Sequence, residues 1–399
     1  DKFRIGLFEF PYADVEKARV VTNCRQHRDL ALKAAHESLV LLKNENQLLP
    51  LDASKIKTLA VIGPNAADIH LGGYSNEPRK GISVLEGIKQ FANGKFEVTY
   101  AEGCKITTTP GSFWDNDNTV LNSKKADSVL IAEAAAVATQ SDMVLLVIGE
   151  NESICREGWA ENHRGDRDDL SLFGRQADLV KAVKQTGKPV IVLLLNGRPI
   201  ADKLLVSAPT LLEGWYLGQE TGTAVADILF GKVNPSGKLT VTFPKNVGQL
   251  PVYYSKKPSR SRSYVNSDFE PLFPFGYGLS YTTFEYGKPR LSKTEIHRNE
   301  NVKVSVSVKN SGKLKGDEIV ELYIHDKVSS VTRPVMELKD FARITLNAGE
   351  SKTVEFTITP EKLQFYNQEM KRVVEPGEFE IFVGPSSDKV TKTTFRVVE

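Results

Sequence analysis

Two hydrophobic periods divide this chain. As far as about Pro244, apolar runs at Thr58–Ile62, Met143–Ile148, Val190–Leu195 and Thr210–Tyr216 alternate with helix-like segments at Val84–Phe91, Ile131–Thr139, Gln176–Gln185 and Thr221–Phe230. Runs that are apolar at nearly every position suit strands covered on both faces. Their alternation with helices predicts βαβ units, an α/β domain with a mostly parallel sheet and helices on both faces. From Asn301 the period falls to two, in Val302–Val308, Glu318–His325, Thr353–Ile358, Phe379–Val383 and Thr394–Val398. Turn signals such as Asn310-Ser-Gly312, Asn347-Ala-Gly349 and Pro376-Gly377 separate these runs. That pattern predicts an antiparallel β-sandwich. Between the two lies Pro251–Pro274, rich in Tyr, Ser, Lys and Arg and without helical period, which reads as a long irregular connection.

Composition narrows the function classes. At 399 residues the chain exceeds what one core usually serves, in keeping with two domains. Net charge is +2 with no long run of either sign, which argues against a nucleic-acid partner. The longest apolar stretches, such as Val190–Leu195, have strand length, so no membrane span is expected. Cys24, Cys104 and Cys155 are too few and too scattered for a disulfide framework or a zinc site; free, buried or partly buried thiols are expected. The opening Asp1-Lys-Phe-Arg-Ile-Gly-Leu-Phe has neither an initiator Met nor a signal segment, and reads as the middle of something longer.

Ligands of parallel sheets sit at the carboxyl ends of the strands, which directs attention to the loops Gly63–Pro78 and Gly149–Leu170. The second carries Glu150, Glu152, Glu157 and Glu161 among Arg156, Arg164, Arg167, His163 and Trp159. Carboxyls beside aromatic and guanidinium groups suit sugar binding and proton transfer, although arginines favour the ionised form. The bland alternative is a solvated, salt-bridged loop. Asp166, Asp168 and Asp169 do not match a calcium loop, and Asp166 and Arg167 read better as residues that tie the loop down, so no metal is expected. Gly63-Pro-Asn-Ala66 lacks the glycine spacing of a nucleotide site, and Pro64 removes an amide donor. With no G-x-S-x-G elbow either, neither a cofactor nor a serine triad is expected.

Several segments resemble, in order, those of glycoside hydrolase family 3. They are Ala35-His-Glu-Ser-Leu-Val-Leu-Leu-Lys-Asn44 with Leu48-Leu-Pro50, Asn196-Gly-Arg-Pro199, Gly218-Gln-Glu220, Asn234-Pro-Ser-Gly-Lys-Leu239 and Pro274-Phe-Gly-Tyr-Gly-Leu-Ser-Tyr281. Arg333-Pro-Val-Met-Glu-Leu-Lys339 and Gly377–Gly384 continue the resemblance into the sandwich, which the family makes fibronectin type III-like. The resemblance implies residues 1–26 as a linker from a (β/α)₈ barrel and 27–250 as an α/β sandwich domain. It further implies 251–290 as a connecting segment and 291–399 as the β-sandwich. It also implies a retaining exo-acting β-glycosidase, first of all a β-glucosidase, whose Asp nucleophile lies on a barrel in cis or on a second chain; no nucleophile is expected here.

The acid/base is what the resemblance places in this chain. Gly149-Glu150 followed by Glu157-Gly158 reproduces the family spacing, although Trp159–Gly165 intervene before Asp166-Arg167, where relatives have a shorter gap. Glu157 is the first choice for general acid/base and Glu161 the second, with Glu150 and Glu152 behind them. Leu71-Gly-Gly-Tyr-Ser75 aligns with a segment that presents an aromatic to the leaving group, so Tyr74, Trp159 and Arg156 are candidate substrate contacts. A β-linked oligosaccharide or glycoside, a barrel domain and a homodimer are the partners to consider, and a periplasmic or secreted location is expected. The competing reading is an isolated non-catalytic module that binds carbohydrate or a partner.

Overall fold

The structure, a computed structural model, describes residues 1–399 except 74, 76–79, 109–118, 159–164, 166 and 260–262. Six strands, β1 (Val40–Asn44), β2 (Thr58–Ile62), β3 (Glu97–Ala101), β4 (Met143–Gly149), β5 (Val190–Leu195) and β6 (Thr210–Glu213), make one sheet in the order β1-β6-β5-β4-β2-β3. All neighbours are parallel except β1, which pairs antiparallel with β6 at the edge. The helices are α1 (Val15–Val21), α2 (Arg25–Ser38), α3 (Val84–Ala92), α4 (Lys124–Gln140), α5 (Gln176–Gln185), α6 (Lys203–Val206) and α7 (Thr221–Leu229).

The uninterrupted apolar runs follow from helices on both faces. Leu145 and Val147 join the core under α2, α3 and α7, whereas Leu146 and Ile148 join the core under α4, α5 and α6. α3 starts at a capping box in which Ser83 and Glu86 satisfy each other's backbone amides. α3 and α7 cross so closely at Gly87 and Gly222 that a Cβ on Gly87 would lie 2.1 Å from the Gly222 backbone.

The sheet differs from the sequence expectation in its edges and ends. β6 stops at Glu213 rather than Tyr216, because the next residues turn sharply and Trp215 has φ +53°. α4 begins at Lys124, capped by Ser123, two turns before the apolar period starts; its first residues are polar and carry no hydrophobic signal. β1 and β3, both edge strands, do not stand out by period, and neither does the sandwich strand at Glu337–Leu346.

The C-terminal part comprises β7 (Phe284–Tyr286), β8 (Arg290–Leu291), β9 (Glu295–His297), β10 (Val302–Asn310), β11 (Gly316–Asp326), β12 (Glu337–Leu346) and β13 (Ser351–Ile358). After the short helix α8 (Pro360–Leu363) come β14 (Phe365–Tyr366), β15 (Arg372–Val373), β16 (Gly377–Ser386) and β17 (Lys389–Val398). One sheet runs β13-β10-β7, with β8 also on β10; the other runs β12-β11-β16-β17-β9. Val302, Val304, Val306 and Val308 point inward against Val320, Leu322, Ile324, Phe379 and Ile381, giving the period of two its physical basis.

Asn234 fastens the two parts together: its side chain accepts from the Tyr281 amide at 2.8 Å and donates to the Lys315 carbonyl at 3.0 Å. The Tyr281 hydroxyl donates to Ile228 O at 2.9 Å, and Arg343 reaches Ser236, Asp317 and Glu37. All three cysteines are free thiols, Cys104 buried and the other two partly so. No described helix is long and apolar enough to cross a membrane.

Candidate active site

Four polar side chains, Asn65, Glu150, Asn196 and Glu213, stand in a row across the carboxyl ends of β2, β4, β5 and β6, each no more than 1% exposed. Buried polar groups need partners, and the row supplies most of them, leaving Glu150 Oε2 and Asn196 Oδ1 without a hydrogen-bond partner among the described residues. Asn65 Nδ2 donates to the Glu150 carbonyl at 3.0 Å and the Leu195 carbonyl at 3.1 Å, so the chain after β2 is laced to the ends of β4 and β5. Asn196 Nδ2 donates to Arg198 O and to Glu213 Oε2, and the Trp215 amide donates to Glu213 Oε1 at 2.8 Å. Gly149 makes the exit from β4 possible: its φ is +145°, and a Cβ there would fall 2.0 Å from the Leu195 carbonyl oxygen.

The loop that leaves β4 is closed on itself by charge. Glu150 Oε1 lies 2.7 Å from Arg167 Nη2, and Arg167 Nη1 donates to Ser171 O at 2.6 Å. Arg198 sits 3.5 Å from the same carboxylate and donates to Ile154 O, pinning the first turn of the loop. Burial pushes the Glu150 carboxyl up, and Arg167 and Arg198 pull it back. The far part of the loop returns to where it left: a Cβ on Gly165 would lie 2.2 Å from the Arg156 carbonyl oxygen. Arg156 is partly buried and Glu157 beside it is exposed.

Glu152 links this loop to the one after β2. Its carboxylate meets His70 Nδ1 at 3.1 Å and accepts from the Gly72 amide at 3.3 Å, with His70 and Glu152 both buried. Tyr216 lies beneath the pair. Its ring centroid is 6.0 Å from that of His70, and its hydroxyl is 3.0 Å from Cys155 Sγ. Burial pushes the Cys155 thiol up to about 11, so it serves there as a neutral hydrogen-bonding group.

Of the site residues expected from sequence, Glu157 and Arg156 lie together at the neck of the loop, while Tyr74, Trp159 and Glu161 fall outside the described residues, as do His163, Arg164 and Asp166. Arg167 ties the loop down as expected, and Asp169 accepts from the Ser171 amide and hydroxyl at 2.8 Å. Sequence reasoning passed over His70, Arg198, Glu213 and Tyr216. Arg198 lay within the motif Asn196-Gly-Arg-Pro199 and His70 within the loop Gly63–Pro78, while Glu213 and Tyr216 showed only as polar residues at the end of an apolar run, as at Leu211-Leu-Glu213. Residues 39–281 match the glycosyl hydrolase family 3 C-terminal domain, and residues 318–387 match the fibronectin type III-like domain.

The chain belongs to glycosyl hydrolase family 3.

Among its relatives, a β-xylosidase of Formosa agariphila is 46% identical over 97% of this chain and 52% of its own length. A periplasmic β-glucosidase of Salmonella typhimurium is 39% identical over 100% of the chain and 54% of its own length. A solved β-glucosidase structure from Erythrobacter marinus, 43% identical, superimposes with a TM-score of 0.95 and covers 100% of this chain but 54% of that one. This family 3 chain thus spans about half the length of the relatives it matches. Its motif segments at Asn196–Pro199 and Asn234–Leu239 contribute Asn196 to the strand-end row and Asn234 to the junction with the sandwich.

Proposed function

We propose that this chain is the acid/base-bearing part of a retaining β-glycosidase that removes terminal β-linked sugars, glucosides first. Glu157 is the acid/base, and the Asp nucleophile comes from a (β/α)₈ barrel in cis or on a second chain. The observation that carries the reading is the contrast among the described glutamates of the loop. Glu150 and Glu152 are buried and paired, whereas Glu157 is exposed at the neck of a tied loop, at the family spacing from Gly149.

As a carboxylic acid, Glu157 protonates the glycosidic oxygen while the nucleophile attacks the anomeric carbon. As a carboxylate it then takes a proton from the water that releases the sugar, with the two carboxyls about 5–5.5 Å apart. Tyr74, Trp159 and Arg156 contact the leaving-group side in this reading. The barrel is supported by the half-length match and by the first residues, where Phe3, Phe10 and Tyr12 are 79%, 83% and 92% exposed. Aromatic surface of that kind marks a missing partner. A periplasmic or secreted location belongs to the same reading.

The test is Glu157→Gln in the barrel-bearing protein. Turnover of substrates with poor leaving groups should fall by roughly 10²–10⁴, with far less loss of the glycosylation step for activated aryl glycosides. Full activity on the poor leaving groups excludes Glu157 as the acid. An inactive wild-type barrel-bearing protein favours a carbohydrate- or partner-binding module instead.

A further inference from the structure

We infer that Glu213 is a positioning residue for the loop that carries Glu157. It fixes a left-handed turn at Trp215, which sets Tyr216 against Cys155. The inference rests on the reading of Glu157 as acid/base.

The turn is the structural core of the argument. A bulky residue at φ +53° is strained and persists only where its surroundings over-determine it. Here they do. Gly214 N donates to Leu194 O at 2.8 Å, and the Trp215 amide donates to Glu213 Oε1 at 2.8 Å. The Trp215 ring packs edge-on against Phe243 at 5.7 Å. The chain then delivers Tyr216 with its hydroxyl 3.0 Å from Cys155 Sγ, and Cys155 in turn donates to Asn151 O at 3.2 Å. Gly197 is the spacer that lets the two side chains meet, since a Cβ there would lie 3.2 Å from Cys155 Sγ and 3.3 Å from Tyr216 Cε2. Cys155 stands two residues before Glu157, so the turn after β6 supports the neck of the loop.

The charges around Glu213 explain why a neutral carboxyl is used. On the β4 and β5 side stand Glu150, Arg167 and Arg198, and both arginines pair with Glu150. Beyond Tyr216 lies the His70–Glu152 pair. On the β1 side the residue opposite is Val40, and Phe243 closes the far end. Among the described residues, Glu213 receives only the Trp215 amide and Asn196 Nδ2, which do not balance full burial and the nearby Glu150 charge; its carboxyl is pushed up to about 8. Asn196 Oδ1 is also buried without a hydrogen-bond partner among the described residues, so a second acceptor charge beside it is disfavoured.

The sign of the pH dependence follows. The folded carboxyl titrates above its ordinary value of 4.5, so the folded form holds a proton that the unfolded form releases. The support is complete below about 4.5, declines through about 8 and is level above that.

Two measurements on the 399-residue chain test this apart from catalysis. Alkylation of Cys155, mapped by mass spectrometry, should run about tenfold faster in Glu213→Ala, because the Trp215 amide loses its acceptor, and near the wild-type rate in Glu213→Gln. Equal rates in all three proteins overturn the positioning role, as does a Glu213→Gln rate that matches Glu213→Ala. The Tm of the wild type minus that of Glu213→Gln should fall from pH 5 to 8 and flatten above; a difference independent of pH overturns the neutral form. In the barrel-bearing protein, Glu213→Gln should retain KM and hold its kcat to higher pH than the wild type, whereas a kcat–pH profile identical to the wild type overturns the link to Glu157. Absence of glycosidase activity in every version defeats the acid/base reading but leaves the Cys155 and Tm results to decide the turn itself.

Discussion

Across an interval of 17 residues, Glu150 and Arg167 meet at 2.7 Å with almost no solvent access, and their contact closes the loop that presents Glu157. A carboxylate at the end of a strand and a guanidinium at the end of a loop thereby replace regular secondary structure as the loop's frame.

Removing one partner of a buried pair leaves the other charge unpaired. Arg167→Ala should therefore destabilise the chain by about 3–5 kcal/mol, read by urea unfolding followed by circular dichroism. Loss of the Ser171 O contact should add local loosening, visible as faster hydrogen exchange after β4.

At Gly165 the constraint is steric. Gly165→Ala places a methyl group 2.2 Å from the Arg156 carbonyl oxygen, so the neck of the loop must shift. In the barrel-bearing protein this should lower kcat by roughly 10²-fold with little change in global Tm, since the proposed acid/base Glu157 follows Arg156 and small displacements of a catalytic group cost about that much.

A second pH-dependent contribution lies at the junction of the two parts. Glu321 is buried beside Gly276, bonded by the Tyr323 hydroxyl, with Glu318 and Lys238 nearby. Burial pushes its carboxyl up to about 7. Because the folded value lies above the ordinary 4.5, stability from this group is present at low pH and declines as pH rises to about 7. Glu321→Gln should flatten that part of the Tm–pH curve between pH 5 and 7, measured by calorimetry.

The exposed aromatics before α1 give a prediction about the proposed barrel. Limited proteolysis of the 399-residue chain should cut first around Phe3–Tyr12, and the same bonds should resist cleavage in the barrel-bearing protein. Cleavage at equal rates in both would remove this support for a barrel seated on that segment.

The sequence by itself determined the two architectures. Strands buried on both faces must be apolar at every position, as at Met143–Gly149, and strands buried on one face must alternate, as at Val302–Val308; both patterns are local. The order of motifs also carried the family, and the spacing from Gly149 nominated Glu157. Only the tertiary structure decided what the polar residues at the strand ends do. Glu150, Glu152, Glu157 and Glu213 are the same chemical group in the sequence. Their roles separate because β4, β5 and β6 lie side by side: Arg167 and Arg198 fold back on Glu150, His70 meets Glu152, and Glu213 accepts from the Trp215 amide and Asn196 Nδ2. Those partners come from distant positions, and no local period records them. The edge strands β1 and β3 were illegible for a related reason, since each has a sheet neighbour on one side only and its pattern reflects the helices and loops that cover it.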